Sequence, residues 1–349
     1  MSKKKVVFSI FILVAYTTVC HTTTAKLKDE LAVYPHQLVC EGYKDNNWDI
    51  FIMDADGSNL KNLTDTPNTH ELYPQVSPDG KQVAFVSDTG TGRTTVRSVW
   101  VMDIDGKNRK KISDYARQPF WSPDSKVLAY LPQEYKKFNV IDFSTKGMMF
   151  HNLETGKTKP HPNAAKLHHL YNPGFSPDGK WITATVHAGM GFKHADLIIE
   201  VDGDKIVDTK VHGCRPSFSP DGMFLAWGAT DHLIEIAPID WSGGEPSLKK
   251  PSFKIIDKKN KIYHSEWAPN GKWLTISRGP MGKGDVSKPG TQMAAREIVG
   301  VYATGWNIFT VKIDESGSVD MNILQPDHWV QITTKGCSYK EPDWISSEK

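Results

Sequence analysis

The chain has 349 residues, 39% hydrophobic and 23% charged, with a net charge of +2. An aromatic content of 10%, with 27 Gly and 21 Pro, excludes a disordered chain and favours short strands joined by tight turns. The lone apolar run of membrane-like length lies at the N-terminus, so the remainder reads as a soluble protein behind one targeting segment.

Lys3, Lys4 and Lys5 precede the apolar stretch from Val6 to Val19, and Thr23-Thr24-Ala25 supplies a cleavage site. This is the pattern of a secretory signal peptide over residues 1–25, and it places the mature protein, residues 26–349, in the periplasm or outside the cell. Two alternatives stand beside it: lipidation at Cys20, although Thr17-Thr18-Val19 poorly matches the small residues expected there, and an uncleaved anchor. Cleavage removes three lysines and no carboxylates, which leaves a mature charge of about −1. A near-neutral chain without a Lys/Arg block argues against a nucleic-acid partner. Cys40, Cys214 and Cys337 remain, an odd number without a disulfide framework or a paired-cysteine zinc motif, and they read as small core residues.

After the signal peptide, residues of about 36–64 read as strands without a turn phrase ahead of them. Asp49 to Asp54 is an apolar strand, Asp56-Gly57 a turn and Asn62-Leu63-Thr64 a short outer strand. Pro74-Gln75-Val76-Ser77-Pro78-Asp79-Gly80-Lys81 then leads into the strand from Gln82 to Ser87. The same phrase returns at Pro119 to Asp124, Pro173 to Gly179 and Pro216 to Gly222, then as Glu266-Trp267-Ala268-Pro269-Asn270-Gly271 and, truncated, as Pro342-Asp343-Trp344-Ile345. Equivalent positions 77, 122, 176, 219, 268 and 345 are spaced by 45, 54, 43, 49 and 77 residues, periods that indicate four-stranded propeller blades.

The composition of the phrase has a physical reason. Ser, then Pro with its preset φ, then Asp, then Gly form a type I turn closed by a left-handed residue, a hairpin loop joining the first and second strands of a blade. Ser125 replaces the glycine in the second copy, at an expected cost of about 1 kcal/mol unless the loop adjusts. The Asp-rich turns such as Asp54 to Gly57 and Asp103 to Gly106 lack a terminal bidentate Glu, so they read as plain turns rather than calcium loops. Residues 36–64 lack a first strand, and Ser338 to Ile345 is a first strand with nothing after it. Pairing them predicts an all-β, six-bladed β-propeller whose last blade is closed by both ends of the chain.

The Pro-x-x-Ser-Pro-Asp-Gly-Lys phrase, the Ile50-to-Gly57 segment and the Asn-Leu-Thr outer strand resemble the TolB-type, WD-like propeller repeat over nearly all of residues 36–345. The resemblance implies a periplasmic six-bladed propeller that docks with an envelope lipoprotein. That family also carries an N-terminal α/β domain, for which about ten residues after the signal peptide leave no space.

In a propeller, comparable positions in each copy lie on one ring around the channel. Immediately before the motif proline stand Tyr73, Gln118, Asn172 and Arg215, and the last two blades place His264 and Glu341 there. All six form hydrogen bonds, so they are the candidate binding residues of a channel mouth, although a water-filled channel needs polar walls in any case. Four residues before the proline stand His70, His169 and His212, which with His264 or Glu71 form a candidate set for a divalent metal. The insertion from about Gly279 to Gly305 is either a binding lid or a tolerated loop. It lacks the Gly-Lys-Ser/Thr ending of a phosphate loop.

No Gly-x-Ser-x-Gly elbow occurs, and no space remains for an α/β-hydrolase domain, which excludes a self-contained peptidase of the prolyl-oligopeptidase kind. The expected function is therefore a monomeric, cofactor-free binding module for an envelope protein or peptide. Any membrane association would come through a partner or an uncleaved N-terminus. The alternative is a metal-dependent carbohydrate-active propeller resembling oligogalacturonate lyases through His70, His169, His212 and His264, although those look like seven-bladed rings and Arg215 and Lys340 supply few cations for a charged sugar.

Overall fold

In a computed structural model, residues 27–45, 47–90, 94–137, 141, 143–280, 305–333 and 337–346 are described. The signal peptide expected over residues 1–25 and nearly all of the 279–305 insertion lie outside them. Six antiparallel blades are arranged as a β-propeller. Blade 1 holds strands His70–Val76, Gln82–Thr89, Val96–Asp103 and Lys110–Asp114; blade 2 holds Ala116–Trp121, Val127–Pro132, Met149–Asn152 and Thr158–Pro160. Blade 3 holds Leu170–Phe175, Trp181–Gly189, Phe192–Glu200 and Ile206–Asp208; blade 4 holds Cys214–Phe218, Phe224–Thr230, Leu233–Asp240 and Phe253–Ile256. Blade 5 holds Asn260–Trp267, Trp273–Pro280, Asn307–Lys312 and Trp329–Gln331. Blade 6 joins Ser338–Ile345 to Gln37–Lys44, Asn47–Asp54 and Lys61–Asn62.

The closure follows the expected pairing: Leu38 stands opposite Trp344 and Gly42 opposite Tyr339. Behind it lies a buried ion pair, Lys340 Nζ to Glu41 Oε1 at 2.9 Å, with the ammonium 4.2 Å from the centre of the Trp48 ring. One oxygen of Glu41 also accepts the backbone N–H of Tyr73 at 2.9 Å, so the closing blade is tied to blade 1. Lys340 therefore points into the sheet contacts and supplies no cation to the channel.

Apolar side chains sit between the blades. Val83, Phe85 and Met102 of blade 1 pack on Val39, Ile50 and Ile345 of blade 6, and the other five seams hold comparable clusters. Alternation along each strand thus buries both faces, one against each neighbouring blade. The seam between blades 5 and 6 has an addition the repeat does not announce, a short helix at residues 27–32. It buries Leu27 and Leu31 beside Ala268 and Trp273, and Tyr34 meets Trp273 and Trp344 edge-on at 4.8 and 5.7 Å. A second addition joins blades 4 and 5: Phe253–Ile256 pairs in parallel with Ser318–Asp320, which extends one sheet across a seam.

The turns behave as their composition requires. Gly80, Gly179, Gly222 and Gly271 have φ of 72°, 71°, 71° and 67°. Ser125 keeps the same conformation, with φ 60°, and its hydroxyl accepts the Asp79 N–H at 3.0 Å, a contact with blade 1 that glycine could not make. Within the four Ser-Pro-Asp turns the serine hydroxyl donates to the aspartate, as Ser77 does to Asp79 at 2.6 Å.

Removing one partner of a buried ion pair strands the other charge. Lys340→Met is expected to destabilise the protein by about 3–5 kcal/mol in urea unfolding at pH 7, and the Lys340→Met/Glu41→Leu double variant by clearly less. Equal losses in the two variants would show that Glu41 is not stranded.

Candidate functional site

The six side chains predicted for the ring line one channel pocket of ≈ 230 Å³. Their backbones share an unusual feature. Tyr73, Gln118, Asn172, Arg215, His264 and Glu341 have φ of 53°, 53°, 46°, 59°, 51° and 50°, the left-handed region that side chains other than Asn seldom adopt. Each lies at a β-bulge in the innermost strand: the ladder skips between Leu72 and Gln75, Arg117 and Phe120, Tyr171 and Gly174, Cys214 and Ser217, and Tyr263 and Glu266. In blade 6 the inner strand likewise skips from Lys340 to Asp343, opposite Glu41 and Val39 on the facing strand. A bulge re-aims one side chain and leaves the next N–H unpaired. Proline, the next residue in five of the six blades, has no N–H to lose.

The left-handed conformation is held by the preceding blade. The N–H of Asn172 donates to Gln118 Oε1 at 3.0 Å, that of Arg215 to Thr185 Oγ1 at 2.8 Å and that of Glu341 to Ser277 Oγ at 3.2 Å. The ring is thus stitched from blade to blade, and this stitching offsets a cost of about 1–2 kcal/mol for each left-handed residue.

Charge on the ring is concentrated on one side. Glu341 Oε1 stands 2.9 Å from His264 Nε2 and 3.4 Å from Arg215 Nη1. His264 Nδ1 is 3.0 Å from Ser277 Oγ. Because that oxygen already accepts the Glu341 N–H, its own proton is available for Nδ1, which places the imidazole proton on Nε2, facing the carboxylate. Burial pushes the His264 imidazole down to about 4. Glu341 keeps its charge against burial through its contacts with His264 and Arg215.

Ser277, His264 and Glu341 thereby follow one another at the distances of a hydrolase triad, but the serine is completely buried. A nucleophile must meet its substrate, so Ser277 acts here as the strut that orients His264.

A second ring, two residues further along each inner strand, was not singled out in the sequence. It comprises Gln75, Phe120, Gly174, Ser217, Glu266 and Asp343 and lines the same pocket. The signal was available, because these residues directly follow the motif proline or its Ser265 equivalent. Glu266 and Asp343 put two carboxyls on the side of blades 5 and 6, opposite Phe120 and Gly174. Burial, with the other carboxyl nearby, pushes Glu266 well up, and burial raises Asp343 to about 7.

The proposed metal set is not assembled. His70 accepts the Trp48 N–H at 3.3 Å, and His169 bonds Ala188 O at 2.8 Å and lies 3.2 Å from Glu134. His212 lies beside His194 with ring centres 5.8 Å apart, and of the four only His264 faces the channel pocket. Equal offsets from the proline do not bring them together because the bulges and the loops between blades turn each strand start differently. Among the described residues no group of three or more His, Cys, Asp or Glu is placed to hold a metal. Glu71 faces Asp49 rather than the histidines, and burial followed by the Asp49 charge raises its carboxyl to about 8.

No family model matches the chain. It is 27% identical over 228 residues to a protein of Bacillus subtilis (strain 168) named uncharacterized peptidase YuxL, covering 62% of this chain and 30% of that one. It is 26% identical over 118 residues to dipeptidyl-peptidase 5 of Porphyromonas gingivalis, covering 32% and 16%. The chain thus spans less than a third of these relatives.

Two expectations check the site. A fluorophosphonate probe should leave Ser277 unmodified in the native protein, and native labelling there, read by peptide mass, would contradict its burial. Glu71 has a folded pKa above its ordinary 4.5, so its contribution to stability is complete below that value and is lost as pH rises through about 8. Glu71→Gln should therefore be more stable than wild type at pH 9, on the order of 2 kcal/mol, with the gain vanishing near pH 4.

Among solved structures the chain is similar to TolB from Acinetobacter baumannii, with a TM-score of 0.58 and 15% identity over 89% of this chain and 66% of that one, and its fold is that of a TolB-like six-bladed β-propeller.

Proposed function

We propose that the protein is a non-catalytic binding module of the cell envelope, periplasmic or secreted, that holds a protein or peptide segment at the mouth of its channel. The observation that carries this reading is the polar ring. Six blades each deliver one hydrogen-bonding side chain at the same bulge, and together they offer donors and acceptors such as the Gln118 and Asn172 amides beside a fixed Arg215–Glu341 pair. A polypeptide backbone presents both N–H and C=O groups, so it needs both kinds of partner.

Support also comes from what the site does with its reactive groups. The serine in reach of His264 is buried, and the His264–Glu341 pair is engaged with Arg215, so the ring is built to hold polar groups in place rather than to move protons to a substrate. The relatives named as peptidases match over a part of their length, which agrees with a propeller that handles peptide chains.

The test is capture from envelope extracts with immobilised mature protein, comparing wild type with Gln118→Ala and Arg215→Ala. A partner retained by wild type and bound at least about tenfold more weakly by the variants, a loss of about 1.4 kcal/mol, supports the reading. Recovery of nothing above background, together with measurable turnover of some substrate by the same preparation, overturns it.

A further inference from the structure

The seams just below the polar ring are filled by indoles at most blade junctions. Trp121 of blade 2 donates its Nε1–H to Gln75 O of blade 1 at 2.9 Å, and Trp267 of blade 5 donates to Ser217 O of blade 4 at 3.2 Å. Trp344 holds the same motif position in blade 6 and packs on Tyr34. Blade 4 has Phe218 instead, but Trp241 stacks beside it with ring centres 6.4 Å apart and donates to Gly222 O at 3.0 Å. Blade 1 has Val76, with Trp100 packed in the same cluster; blade 3 has Phe175, and among the described residues no indole lines its seam pocket. Between blades 2 and 3 a cavity of ≈ 350 Å³ remains, opening on the face of the Ser-Pro-Asp-Gly turns.

Its walls are of two kinds. The floor is Phe150 and Phe175, ring centres 6.1 Å apart, flanked by Val127 and Val201. The rim carries three carboxylates, Asp124, Asp178 and Asp202, and one ammonium, Lys159. Ser122 and Ser176 each hold one oxygen of Asp124 and Asp178, at 2.6 and 2.7 Å. Lys126, beside Asp124, pairs with Glu154 at 3.3 Å, and Lys180 reaches Asp178 Oδ2 only at 3.6 Å from outside the lining. The pocket therefore combines aromatic faces with an excess of negative charge, in a volume suited to one long side chain.

We propose that this seam pocket receives an arginine side chain presented by a partner polypeptide, with the guanidinium against Phe150 and Phe175 and inside the field of Asp124, Asp178 and Asp202. Arginine suits it better than lysine: the planar, weakly hydrated guanidinium stacks on aromatic rings and spreads five N–H donors over several carboxylates, whereas an ammonium keeps its water. An anionic side chain would meet three like charges against the one ammonium of Lys159. The inference is independent of what the central channel binds.

The test uses the mature protein and three tripeptides, acetyl-Gly-Arg-Gly-amide and its citrulline and lysine counterparts, titrated by calorimetry and by amide chemical shifts. Saturable binding of the arginine peptide is expected, at least tenfold weaker for citrulline, which removes the charge at nearly constant shape, and severalfold weaker for lysine. Asp202→Asn, outside the Ser-Pro-Asp-Gly turns, should weaken the arginine peptide severalfold without changing the unfolding midpoint. Phe175→Trp should abolish binding by filling the cavity, its indole donating to Phe120 O as Trp121 does to Gln75 O. Val201→Phe, which fills the pocket away from the channel, should do the same. Absence of saturable binding to wild type, equal affinity for citrulline or lysine, or full affinity in both filled variants overturns the proposal.

Discussion

Everything in this protein depends on the antiparallel pairing of Gln37–Lys44 with Ser338–Ile345. A propeller blade alone has two exposed faces and two unsatisfied edges, and it becomes stable only when neighbours cover both faces. The ladder between the chain's two ends supplies the sixth blade, and with it the covers for blades 1 and 5. The buried Lys340–Glu41 pair lies on this ladder, and the N-terminal helix adds Leu27 and Leu31 to the seam beside it. The last blade is therefore reinforced more heavily than a simple repeat would demand, where the covalent chain offers no continuity.

The channel shows how a repeat with strict geometry hosts an irregular site. The bulge recurs in every blade because the backbone must bend at the axis; prolines, and bonds such as that from the Arg215 N–H to Thr185 Oγ1, hold it without calling on the residue's own side chain, although the Asn172 N–H is held by the neighbouring ring residue Gln118. That side chain is consequently free to differ from blade to blade. Tyr, Gln, Asn, Arg, His and Glu occupy six equivalent positions and produce an uneven ring, with the Arg215–Glu341–His264 group on one side and amides on the other. Two residues further along, the unevenness is sharper: Glu266 and Asp343 stand across from Phe120 and Gly174. The repeated turns and seams thus hold the fold, while the ring positions are left to vary.

Burial decides the chemistry of these groups. Ser277, His264 and Glu341 have the residue types and distances of a nucleophilic site, yet the serine oxygen is inside the blade, where it receives a backbone N–H and orients an imidazole. The same principle separates Lys340 from Arg215. Both were plausible cations for the channel, but one is consumed by Glu41 beneath the sheet and the other reaches the lumen wall.

Taken by itself, the sequence determined the number of blades, the turn chemistry, the pairing of the two ends and the six positions of the polar ring. Each of these is a local pattern repeated at a fixed period, and repetition makes a short signal readable. Only the tertiary structure decided which side chains meet. His70, His169 and His212 share an offset from the proline, but differing loops turn each of them toward its own neighbours. The left-handed backbone of the ring was hidden because Tyr, Gln, Arg, His and Glu give no local sign of it. The seam left open by Phe175 likewise appears only when the indoles of other blades are seen spanning theirs. Contacts between residues forty or more positions apart arise from packing across seams, and no local pattern encodes the partner's position.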